Sequence, residues 1–101
     1  MSFSIEKYAT DLFTSKFGNR VDTRFDKLKE EVCELFEAYK EHMSGEGTLE
    51  HLIEEVSDVE AVLSHIRCIM SEKTHEESIL DALFKVKIRE YNPNFKKQKE
   101  V

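Results

Sequence analysis

Between Gly18 and Pro93 the chain has no proline, and its only glycines are Gly45 and Gly47. They belong to one short stretch, Ser44-Gly45-Glu46-Gly47, with more than twenty uninterrupted residues on either side. Upstream, Phe25, Leu28, Val32, Leu35, Phe36 and Tyr39 recur at helical spacing; downstream, Leu52, Val56, Val59, Leu63, Ile66 and Met70 do the same. That spacing predicts two long amphipathic helices, the first from about Asp22 or Thr23 to Met43, the second N-capped by Thr48. A turn this short between them predicts an antiparallel hairpin.

Two shorter helices are expected to flank it. One runs from about Ser4 to Phe17, carries Ile5, Tyr8, Ala9, Leu12 and Phe13, and stops at Gly18-Asn19-Arg20. The other opens on the capping box Thr74-His75-Glu76-Glu77 and carries Ile79, Leu80, Leu83, Phe84, Val86 and Ile88 to about Tyr91. The fold class is therefore all-α: a four-helix bundle over residues 1–91, followed by a basic tail over 92–101 with Lys96, Lys97 and Lys99. Four short amphipathic helices leave apolar surface uncovered, so oligomerisation through the central helices is expected.

A net charge of −6 disfavours nucleic acid as a partner, because a phosphate backbone needs a basic face. No apolar run approaches the length of a membrane span and no signal-peptide core is legible, so no membrane partner and a cytoplasmic location are expected. Cys33 and Cys68 stand singly inside helical patterns and read as buried or half-buried thiols of a reducing compartment.

The acids carry the chemistry. "LKEEVCEL" begins at Leu28 and "LIEEVSDV" at Leu52, the same phrase on both central helices. At about 100° per residue, Glu31 falls roughly 60° and Glu34 roughly 120° to one side of Leu28, and Glu55 and Asp58 repeat those offsets from Leu52. Each helix thus carries two carboxylates on one shoulder of its apolar stripe. In an antiparallel hairpin the shoulders converge, and four crowded carboxylates without His or Cys suit a hard cation, Mg²⁺ with Mn²⁺ as a substitute. The plainer reading is a solvated acidic face, with Lys27 and Lys29 pairing with Glu31 or Glu30.

Glu30-Glu31-x-x-Glu34, twenty residues, then Glu55-x-x-Asp58 resembles the signature of the MazG-like, all-α nucleoside triphosphate pyrophosphohydrolases. The likeness covers nearly the whole chain. It implies a helical protomer that forms a homodimer or homotetramer, and Mg²⁺-dependent cleavage of a nucleoside triphosphate to monophosphate and pyrophosphate. It also implies that Glu31, Glu34, Glu55 and Asp58 are metal ligands, with Glu30 or Glu34 taking the proton of the attacking water. Lys85, Lys87 and Arg89 stand where such proteins carry phosphate-binding residues, although "FKVKIREYN" fits that pattern loosely. Phe13, Phe17, Tyr8 and Phe36 are the aromatic candidates for the base, although such residues more often serve simply as core.

Other readings remain open at this level. A phosphoribosyl-ATP pyrophosphohydrolase or a dUTPase-like enzyme belongs to the same superfamily. A di-iron bundle would need two Glu-x-x-His motifs, and the sequence has one, Glu72 to His75. A non-catalytic helical interaction module would use the same stripes to bind a partner helix.

Overall fold

A computed structural model describes residues 4–91. The expected basic tail, with Lys96, Lys97 and Lys99, lies outside the described residues. Four helices follow in order: α1 (Ile5–Phe17), α2 (Val21–Met43), α3 (Leu49–Met70) and α4 (His75–Tyr91), and no strand occurs among the described residues.

The helix ends follow local chemistry. Ser4 accepts a hydrogen bond from the Lys7 N–H at 3.2 Å, and Thr48 accepts one from the His51 N–H at 3.1 Å, so each caps a helix start. Thr74 and Glu77 form the full reciprocal box: the Glu77 N–H donates to the Thr74 hydroxyl, and the Thr74 N–H donates to the Glu77 carboxylate. α2 starts at Val21, a residue earlier than its acids suggest, and Arg20 at its N-cap supplies no side-chain cap.

The hairpin turn needs both of its glycines. Gly45 has φ 85°, a left-handed conformation that L side chains rarely adopt. A methyl group on Gly47 would lie 2.9 Å from Glu41 Cβ, because the Gly47 N–H folds back onto the Glu41 carbonyl. His42 Nδ1 closes the turn 3.3 Å from the Gly47 carbonyl oxygen. The long helices are thereby reversed within a few residues and pack together.

What they bury follows the apolar stripes only at Ile66. The buried residues of α2 are Arg24, Glu31 and Ala38, seven apart, and those of α3 are Val62, His65 and Ile66. Phe25, Phe36, Tyr39, Ile53 and Leu63 remain exposed. On both helices the centre of the buried set is turned by roughly 90° from the centre of the stripe, towards the acids. α1 repeats the pattern: Thr10 is buried, while Ile5, Tyr8 and Leu12 are exposed.

α1 lies along α3, held by Thr14 Oγ1 3.0 Å from His65 Nε2 and by the tilted Phe13–His65 ring pair. Glu6 then joins three helices. Its carboxylate accepts from the Ser64 hydroxyl at 3.3 Å, pairs with Arg67 at 3.5 Å, and accepts from the His75 N–H at 3.2 Å, where α4 begins. Beyond that anchor α4 buries none of its described side chains, and Ile79, Leu80, Leu83, Phe84, Val86 and Ile88 are all exposed. The expected bundle is thus a hairpin with α1 against it and an apolar α4 face open to solvent. Cys33 and Cys68 are also exposed, contrary to the expectation of buried thiols, because both sit off the rotated seam.

Candidate metal centre

Each central helix delivers one carboxylate into the seam. Glu31 is 8% exposed, and the Glu55 side chain is 13% exposed. With Glu34, one turn on from Glu31, they form a group in which one carboxylate oxygen from each lies within 4.8 Å of the others. At that separation and an effective dielectric near 20, the Glu31–Glu55 repulsion costs about 3 kcal/mol.

The two inner glutamates are compensated in parallel ways. Lys27 Nζ, one turn before Glu31, lies 3.1 Å from its Oε1 and 3.6 Å from Glu30. The hydrogen bond to Glu31 is the main cause that raises the lysine's pKa and keeps it charged. His51, one turn before Glu55, has Nε2 3.7 Å from the Glu55 Oε1, an ion pair only when the imidazole is protonated. The other oxygens have nothing: Glu31 Oε2 and Glu55 Oε2 are both buried without a hydrogen-bond partner. Such atoms are costly unless something outside the chain satisfies them. The set is all oxygen, anionic and partly desolvated, which fits a hard divalent cation.

Glu34 registers the crowding most directly. The charge of Glu31 and the close approach of its carboxylate raise the Glu34 pKa above its ordinary value, with burial, Glu55 and Glu30 adding smaller effects. Asp58 stays outside the three-carboxylate group. It is exposed and instead lines a cavity of about 520 Å³ together with Glu31. That volume lies within the range of small-molecule sites. Phe13, Phe17, Arg24 and Lys27 also line it, with the Arg24 guanidinium 4.9 Å from the centroid of the Phe17 ring.

The structure therefore gathers Glu31, Glu34 and Glu55 as the sequence suggests, and sets Phe13, Phe17 and Asp58 around the neighbouring cavity. Glu30 is exposed on the outer side of Lys27. Tyr8 is exposed on α1, and Phe36 lines a separate apolar groove between α2 and α3 with Tyr39 and Ile53. Lys85, Lys87 and Arg89 do not line the cavity; they belong to α4, where Lys87 pairs with Glu90 at 3.4 Å.

Arg24 escaped the sequence reading, and Lys27 entered it only as a surface partner. The usable signal was their spacing, seven and four residues before Glu31, which puts all three on one helical face. No family model, no curated protein and no solved structure matches the chain. No helix among the described residues is long and apolar enough to cross a membrane.

Proposed function

We propose that the chain is a Mg²⁺-dependent nucleoside triphosphate pyrophosphohydrolase of the MazG-like kind, releasing a nucleoside monophosphate and pyrophosphate. The observation that carries this is that Glu31 and Glu55, each with one buried, unpartnered oxygen, gather with Glu34 beside a cavity lined by aromatic and cationic side chains. A solvated acidic face would keep its oxygens in water, and these two are withdrawn from it.

Glu31, Glu34 and Glu55 would hold the cation, with Asp58 lining the neighbouring cavity. A divalent ion bound there supplies Lewis acidity and a more acidic water. Phe13 and Phe17 offer flat apolar surface for a base. Water adds to the α-phosphorus, the bond from that phosphorus to the bridging oxygen breaks, and pyrophosphate leaves. The proton of the water goes to Glu30 or Glu34.

The active form in this proposal is a homodimer or homotetramer. Its support is the apolar surface left open: Leu35, Phe36, Tyr39, Leu52, Ile53 and Val56 form a groove on the hairpin, and the apolar face of α4 is exposed. A partner's α4 covering that groove would carry Lys85, Lys87 and Arg89 towards the phosphates. The same groove also favours a second reading, a helical module that binds a partner helix.

One assay tests the function. Canonical deoxynucleoside and nucleoside triphosphates, incubated briefly with the protein and Mg²⁺, should yield monophosphate and pyrophosphate. Diphosphate plus phosphate would place the attack at the γ-phosphorus and overturn the chemistry. No turnover of any triphosphate, and no thermal stabilisation by Mg²⁺, would leave the interaction module.

A further inference from the structure

Arg24 is 8% exposed, yet no carboxylate pairs with it among the described residues, and its Nε is buried without a partner. An arginine stays charged at any physiological pH, so its burial cannot be relieved by losing a proton. Stacking on Phe17 at 4.9 Å offsets part of the cost and fixes the plane of the guanidinium. It leaves the buried Nε–H without a partner, and that donor needs an acceptor.

The titratable neighbour His65 gives no relief. His65, fully buried behind the same wall, has its pKa lowered first by burial and then by the charge of Arg24, so it stands there as a neutral ring. Lys27, one turn along α2, is already committed to Glu31 and Glu30. The cavity that Arg24 lines thus brings together two carboxylates, Glu31 and Asp58, and a buried cation that no carboxylate pairs with among the described residues.

We propose that Arg24 is the anion-binding residue of this cavity, holding the polyphosphate of the substrate within the same protomer that supplies the carboxylates. This rests on the pyrophosphohydrolase reading and deepens it: the ligand class is a polyphosphate ester whose charged chain lies between the carboxylate group and Arg24. The planar fork suits two oxygens of one phosphate, a geometry that a lysine cannot reproduce. Phosphate recognition then does not wait for Lys85, Lys87 and Arg89.

The test uses Arg24→Met, which keeps length and removes charge, and Arg24→Lys, which keeps charge and removes the fork. Equilibrium binding of α,β-imido deoxynucleoside triphosphates and competition by inorganic tripolyphosphate are measured beside kcat and KM. Arg24→Met should weaken analogue and tripolyphosphate alike by at least tenfold, with the unphosphorylated nucleoside unaffected; Arg24→Lys should lie between it and the parent. If Arg24→Met fails to fold, judged by its circular dichroism, Arg24→Lys decides alone, and a loss of threefold or more for tripolyphosphate supports the assignment. Analogue affinity within twofold of the parent in the folded variants overturns it, as does a loss confined to ligands that carry a nucleoside. A parent protein that neither binds the analogues nor releases pyrophosphate fails at the first reading and takes this one with it, a result plainly different from a silent Arg24 variant in an active enzyme.

Discussion

Glu31 and Glu55 meet across the α2–α3 seam as near mirror images. Each has Oε1 facing a basic side chain one turn earlier, Lys27 at 3.1 Å and His51 at 3.7 Å, and each has Oε2 buried without a partner. Each carboxylate thus has one oxygen beside a basic side chain and one buried without a partner, and both belong to the same three-carboxylate group.

That arrangement should make the protein more stable when a divalent cation is present. Binding at a hundred times Kd stabilises by about 2.7 kcal/mol, and for a domain near 100 residues this is on the order of 10 °C in Tm. Thermal melts with Mg²⁺, Mn²⁺ or EDTA check it. Glu55→Gln should abolish the shift and lower pyrophosphate release more than tenfold while retaining the helical content. A Glu55→Gln protein that keeps both would remove the metal assignment.

Glu34 and His65 should give pH dependences of opposite sign in the metal-free protein. The Glu34 pKa is raised on folding, so the folded state holds that proton more tightly, and stability falls as pH rises from about 4.5 through the folded pKa. For His65 the pKa is lowered, so the contribution is whole above about 6.5 and is lost as pH falls through that value towards the folded pKa. Denaturant titrations in EDTA should show Glu34→Gln flattening the acidic limb and gaining stability at neutral pH. His65→Gln should lose the dependence below about pH 6.5. Parallel curves for parent and variants would refute both assignments.

Glu6 should control the docking of α4. Its carboxylate caps the start of that helix through the His75 N–H and pairs with Arg67 on α3. Glu6→Ala removes one cap and one half-buried ion pair, a loss of about 1–2 kcal/mol. Amide exchange at residues 75–78 should accelerate more than exchange at the centre of α3. Uniform acceleration along the chain would show that Glu6 acts on global stability instead.

Self-association should depend on the hairpin groove. Phe36→Asp or Ile53→Asp places a charge where six apolar residues line an open trough, and burying a charge there is costly. Light scattering at low micromolar concentration should find the parent as a dimer or larger and these variants as smaller species. An active parent of 11.9 kDa would exclude the oligomer.

Much of the architecture was determined by the sequence alone, for local reasons. Helix spans follow from apolar spacing, the turn from Gly45 and Gly47, and the starts of α1, α3 and α4 from Ser4, Thr48 and the Thr74–Glu77 box. These depend on contacts within a few residues, so they can be read without knowing the fold. The gathering of Glu31, Glu34 and Glu55 was also legible, since a repeated phrase on two antiparallel helices has few ways to meet. The tertiary structure decided which face of each helix turns inward. Periodicity points to the most apolar face, but packing chose the seam of Arg24, Glu31 and Ala38 and left Phe36 and Leu63 in solvent. Helical spacing is a property of one helix, whereas burial depends on what lies opposite. Only the packing of α1 against the hairpin brings Phe17 beneath Arg24 on α2 and Thr14 against His65 on α3, and those contacts make a charged, partly desolvated cavity out of residues that look like surface in the sequence.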